Sequence, residues 1–360
     1  MNRLQRKFPI LLLAAGIAAG MFVAGCSSKD VRQEAVATVN GDPVKISELR
    51  EALGVPFGVF AVPDIPVDRK KEALDQLVAG RLLAQEGHSR GIDNTSEFRE
   101  ILQQNDPLVR IKALLRKEVE AKLKVTNEEI KAEIAKVKEG NKGISDPDAV
   151  MAAVKSVSGS RIQKIQEELI AAAKKETAAA VDPTAMARIG KEGNVPDNVV
   201  LASVGDEKIL YGDVKKILSG LSPGGGQPDL SKNPVLVGNI LERELTIRAL
   251  AAYAKKQGVV DSEGYTSMRR EMERFVLRGL TADNFVASNA EVTDKEIEAA
   301  YAEHSATMVR DGKKIPLAMV KGQIREALRN EKGRKVLDAY IAGLRKKAKI
   351  TVNDAALPKV

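Results

Sequence analysis

The sequence predicts a mainly α protein with small β-hairpins, built as two helical lobes. Three observations lead there. Aromatic residues make up 3% of the chain, Trp is absent and 29% of residues are charged, a balance that suits amphipathic helices better than a β-sandwich. Apolar residues recur at helical spacing over long stretches. The chain also repeats itself at long period. Ala37-Thr38-Val39-Asn40-Gly41-Asp42 matches Ala202-Ser203-Val204-Gly205-Asp206-Glu207, an offset of 165 residues. Leu74, Arg81, Leu83 and Gly91 match Leu241, Arg248, Leu250 and Gly258, and Val125–Ile130 matches Val292–Ile297, both at an offset of 167.

Each landmark predicts an element. Val36–Val39 and Val44–Ile46 flank Asn40-Gly41, a strong hairpin signal, and Val199–Val204 with Lys208–Tyr211 repeat it around Gly205-Asp206. Ser47 and Asp213 are candidate caps for the helices that follow. Leu74, Leu77, Val78, Leu82 and Leu83 share one helical face, which Gly91 terminates. Ile240, Leu241, Ile247, Leu250 and Gly258 do the same in the second copy. Thr126-x-x-Glu129 and Thr293-x-x-Glu296 are capping boxes. Arg161–Lys175 closes the first copy as a helix. A long basic helix carrying Ile324, Leu328, Leu337, Tyr340 and Leu344 closes the second, followed by a short strand, Lys349–Val352. That strand is expected to pair with the second copy's hairpin, since an open β-prone edge invites aggregation. Exchange of strands between the copies, or between two chains in a homodimer, satisfies the same sequence.

The chain begins with a positive stretch (Arg3, Arg6, Lys7), an uncharged apolar run from Phe8 to Val23, and Ala24-Gly25-Cys26. This resembles a bacterial lipoprotein signal cleaved after Gly25. The resemblance implies a diacylglyceryl thioether and an amide-linked acyl chain on Cys26. One chain anchors marginally and several anchor stably. Residues 1–25 are then a signal peptide and 26–35 a lipidated tether. Residues 36–180 form the first lobe, 181–198 a Pro- and Gly-containing connector, and 199–360 the second lobe. Ser27 after the cysteine points to the periplasmic face of the outer membrane. Removing Arg3, Arg6 and Lys7 lowers the formal charge from +8 to +5. Export excludes nucleic acid as the partner of that charge and leaves anionic lipid or acidic polypeptide. Cys26 is the single cysteine, so acylation leaves no thiol for a disulfide or a cysteine–zinc site.

The segments "VATVNGDPVKISEL", "LDQLVAGRLLAQEGHSRGI" and "VTNEEIKAEI" resemble the N-terminal chaperone region of the SurA/PrsA/PpiD group of extracytoplasmic folding factors. The ending "VKGQIREALRNEKGRKVLDAYIAGLRKKAKITV" is similar to the helix and strand that return after the parvulin domain in that group. The resemblance implies two copies of a SurA-N-like, trigger-factor-like helical lobe over residues 35–353. The group usually carries a parvulin prolyl isomerase between the "VT-x-x-E-I" helix and the closing helix. Here the gaps, about 136–160 and 304–321, are too short for a domain with its own core. His88 and His304 are the only histidines, at non-equivalent places in the copies, which argues against isomerase chemistry.

Other catalytic readings fail on local context. Gly224-Gly225-Gly226 lacks the strand, helix and Lys of a phosphate loop. No Gly-x-Ser-x-Gly elbow or metal-ligand cluster stands out, so no cofactor or metal is expected. The resemblance implies an ATP-independent chaperone for unfolded exported and outer-membrane polypeptides, held to lipid through Cys26. Phe57 and Phe60, in the apolar stretch Gly54–Pro66, are the candidate client contacts, with a lid packed on the first lobe as the competing role. The alternatives are a dedicated assembly lipoprotein of an exopolysaccharide or filament export system, and a prolyl isomerase.

Overall fold

In a computed structural model, residues 33–54, 65–192, 195–221, 230, 233–305, 307–310 and 313–360 are described. The protein is mainly α, with small antiparallel sheets. The first hairpin pairs β1 (Ala35–Val39) with β2 (Asp42–Lys45). Its turn holds Asn40 at φ 53° and Gly41 at φ 87°, the left-handed pair that a tight two-residue hairpin needs. Then come α1 (Ile46–Ala52), α2 (Val67–Ser89), α3 (Ser96–Lys122), α4 (Asn127–Gly140) and α5 (Asp146–Glu176). After β3 (Ala180–Val181) and α6 (Pro183–Arg188) the series restarts with β4 (Val200–Val204), β5 (Glu207–Leu210), α7 (Tyr211–Leu221), α8 (Pro234–Lys256), α9 (Glu263–Asn289) and α10 (Asp294–His304). A small hairpin, β6 (Val309–Arg310) and β7 (Lys313–Lys314), precedes α11 (Leu317–Lys347) and β8 (Ile350–Val352).

The duplication is close to residue-for-residue. Helices α2 and α8 have 23 residues each, α3 and α9 have 27, and α5 and α11 have 31. A β-bulge interrupts β1 between Ala35 and Ala37 and β4 between Val200 and Ala202. Gly91 (φ 71°) and Gly258 (φ 66°) follow the ends of α2 and α8, in the conformation that closes a helix without Cβ strain. Both capping boxes form, Thr126 with Glu129 and Thr293 with Glu296. Between α4 and α5 the chain makes only a five-residue turn.

The structure corrects the sequence expectations in several places. The closing strand β8 pairs with β1 of the first copy, not with the second copy's hairpin. The sheets have strand order β2-β1-β8 and β3-β4-β5, so each hairpin takes its third strand from the other copy. As a result the compact units are not contiguous lobes. Gln103–Arg270 forms a mid-chain unit, whereas Pro66–Leu102, Glu271–Val360 and residues 33–53 form a terminal unit. The connector also carries structure. Asp182 accepts from the N–H groups of Thr184 and Ala185 to cap α6, and Ala185, Ile189 and Val195 enter the mid-chain core. Ser47 does not cap α1, which starts at Ile46 without a side-chain cap. Asp213 does reach back, accepting from Leu210 N–H at 3.0 Å.

Each unit has its own sheet core. In the terminal unit Val36, Val39, Val44, Ile46 and Leu49 pack on Leu74, Val78 and Leu82 of α2, and on Ala356, Leu357 and Val360 beyond β8. In the mid-chain unit Leu201, Val204, Ile209, Tyr211 and Val214 pack on Val237, Leu241 and Leu245 of α8.

Candidate functional site

Three polar fasteners recur in both copies. The first ties hairpin to helix. Arg81, 6% exposed at its side chain, meets Glu48 at 2.6 Å and Asp42 at 3.4 Å and donates to Pro43 O at 3.0 Å. Arg248 meets Glu207 and Glu244, each at 2.8 Å, and donates to Lys208 O at 3.2 Å. The second ties the capping box to the closing helix. Arg161 pairs with Glu129 at 2.6 Å and donates to Lys124 O. Lys332 pairs with Glu296 at 2.6 Å and donates to Glu291 O at 2.8 Å. The hydrogen bond from Arg161, with that of the Thr126 N–H behind it, holds the Glu129 carboxyl at about 2. Lys332, followed by the Thr293 N–H, does the same for Glu296, also at about 2. The third joins the end of each closing helix to the second helix of the other copy: Arg345 to Asp75 at 2.8 Å, and Lys174 to Glu242.

Of the residues singled out from sequence, Cys26, Phe57, Phe60 and Gly224-Gly225-Gly226 lie outside the described residues. His88, in the last turn of α2, is 74% exposed at its side chain, and its Nδ1 meets Asp93 Oδ2 at 2.6 Å. His304 is exposed at the end of α10. The two belong to different helices, and each is accounted for as a helix-end side chain. Among the described residues no group of three or more His, Cys, Asp or Glu is placed to hold a metal ion. No described helix is long and apolar enough to cross a membrane.

Large apolar side chains stand in solvent on both units: Val181 and Val235 on the mid-chain unit, and Val67, Phe275, Val309, Met319 and Val352 on the terminal unit. Arg278 lies over the Phe275 ring, 5.0 Å from its centre. In the terminal unit an open groove between α2 and α11 has Ala79, Ile341 and Ala342 flanked by Asp68, Glu72 and Asp338. Val181 and Val352 are the pair that sequence reasoning missed. They are equivalent in the repeat, 171 residues apart, and both sit on outermost strands. The alignable closing segments contained that signal, but which edge they occupy depends on the exchange. Comparison with protein-family models, with curated proteins and with solved structures found no match.

Proposed function

We propose that this chain is a lipid-tethered, ATP-independent chaperone that holds unfolded exported polypeptides at the periplasmic face of the outer membrane. The observation that carries the reading is the distribution of exposed apolar side chains over both units. Scattered contacts are individually weak, so a client is released without a fuel, and engagement of both units raises retention through effective concentration. Acylated Cys26 supplies the tether, and Phe57 and Phe60 remain candidate client contacts from sequence. The resemblance to the SurA/PrsA/PpiD group supports the same reading.

The test adds residues 27–360 at stoichiometric amounts to a diluted, denatured outer-membrane protein and follows light scattering without nucleotide. Suppressed scattering is expected. Unchanged scattering would sink the general chaperone and favour an assembly lipoprotein with one dedicated partner, to be sought by cross-linking in the native envelope. Turnover of a proline peptide that His88 or His304 substitution abolishes would instead establish an isomerase.

A further inference from the structure

The two outermost strands supplied by exchange have the same backbone geometry. Asn353 N–H donates to Val36 O and Asn40 N–H to Lys349 O, each at 2.8 Å, and Ala37 lies opposite Val352. Hydrogen-bonded pairs alternate along an antiparallel ladder. Thr351 therefore faces β1 with its N–H and C=O, while those of Ile350 and Val352 face outward. On β3, Asp182 N–H donates to Leu201 O at 2.9 Å and Val181 lies opposite Ala202, so the N–H and C=O of Val181 face outward. Val181 and Val352 are 39% and 49% exposed.

The charge around β8 is positive on balance, and that around β3 is mixed. Lys346, Lys347 and Lys349 precede β8, are exposed and carry no ion pair among the described residues. Lys175, the repeat equivalent of Lys346, precedes β3 and is exposed. Of the nearby acids, Glu176 pairs with Lys256 at 2.7 Å, Glu34 pairs with Lys359 at 2.8 Å and Glu86 feels the charge of Lys347, while Asp354 is exposed beyond β8 and Asp182, which caps α6, keeps its charge beside β3.

We propose that the outer edges of β8 and β3 are docking sites for extended polypeptide segments, each adding a fourth strand to its sheet, with acidic segments preferred at β8. This deepens the chaperone reading and rests on it for its biological sense. Main-chain pairing reads no sequence, which suits a holder of many clients, and the lysines before β8 select acidic flanks there. Each sheet already grows this way, since β8 and β3 are themselves extended segments captured from the other copy.

The probe is a fluorescein-labelled ten-residue peptide of alternating Glu and Val, titrated by anisotropy against the mature chain with Cys26→Ser. Val352→Pro and Val181→Pro together remove both outward N–H groups while leaving the inner ladders, a substitution edge strands tolerate. Binding should weaken about tenfold, the size expected from losing one or two backbone hydrogen bonds. Val352→Thr with Val181→Thr should bind as the parent does. Lys346→Glu with Lys349→Glu, exposed positions at which folding is not at stake, should weaken this peptide and strengthen a Lys/Val one. The proposal is overturned if the parent does not bind the peptide, if neither the proline nor the glutamate variant alters binding, or if the free chain dimerises through these edges in sedimentation. Client scattering, run in parallel, judges the chaperone reading separately. Peptide binding without suppression would sink that reading alone, and suppression that survives in proline variants unable to bind peptide would remove the edges as the client site.

Discussion

Arg81 and Arg248, 167 residues apart, perform one task twice: each inserts from the second helix of its copy under that copy's hairpin and ties down an acidic residue of the second strand and a backbone carbonyl beside it. Their burial differs. The Arg81 side chain is 6% exposed and that of Arg248 is 22% exposed, so the two substitutions should differ in cost. Arg81→Ala leaves Glu48 without its cation and Asp42 with Arg274 alone, at 3.4 Å, in a half-buried site, and should cost about 3 kcal/mol. Arg248→Ala should cost about 1 kcal/mol, as for a pair open to solvent on one side. Urea unfolding of the two variants measures both, and equal losses would refute the burial argument.

Glu129 and Glu296 give the protein an acid-sensitive joint in each copy. Both folded values lie near 2, below the ordinary 4.5. The contribution is therefore fully present above about pH 4.5 and is lost as pH falls through that window toward 2. Denaturation midpoints should drop across that range. Glu129→Gln with Glu296→Gln should flatten the drop, and an unchanged slope would show that these pairs do not couple folding to pH.

Leu357 is buried against the first hairpin although it lies 305 residues beyond Ala52, the end of α1. Leu357→Ala should cost about 2–4 kcal/mol, the usual range for a buried leucine. Hydrogen exchange should locate the loss in the terminal unit, in β1, β2 and α2, with β4 and β5 unaffected. Loosening of β4 and β5 instead would contradict the strand order.

Gly87 on α2 faces Thr281 of α9 so closely that an added Cβ would stand 2.3 Å from Thr281 Oγ1 and 3.3 Å from the Leu277 carbonyl oxygen. The second copy has Ala254 at the equivalent place, so the repeat does not require glycine there; the contact does. Gly87→Ala should destabilise by about 1–3 kcal/mol through overpacking, against the gain that Ala normally brings within a helix. A thermal midpoint equal to or above the parent's would contradict the close approach.

Local elements were legible because their determinants are adjacent in sequence. Asn40-Gly41 specifies its turn, and Thr126 and Glu129 are three residues apart. Asp182-Pro183 is an equally local helix start, an N-cap acid followed by proline at the first helical position, yet it lies in a stretch whose glycines and prolines read as linker. Strand partners were not legible. β1 and β4 present the same alternation of buried and half-buried residues, so nothing within β8 distinguishes one hairpin from the other. What decides is the whole course of α9 to α11. The edge site was hidden for the same reason: the direction of the Val352 N–H follows from a register set by a partner 315 residues away, Ala37.

The reciprocal exchange is the claim on which the edges, the units and the proposed site depend, and one cross-linking experiment tests it directly. Thr38 and Thr351 face each other as a hydrogen-bonded pair with their hydroxyls 2.5 Å apart, a separation of strands that a disulfide can span. In a Cys26→Ser background, which removes the only native thiol, Thr38→Cys with Thr351→Cys should oxidise to a cross-linked monomer, and Ser203→Cys with Thr351→Cys should not. A cross-link in the second variant, or a disulfide-bonded dimer in the first, would contradict exchange within one chain.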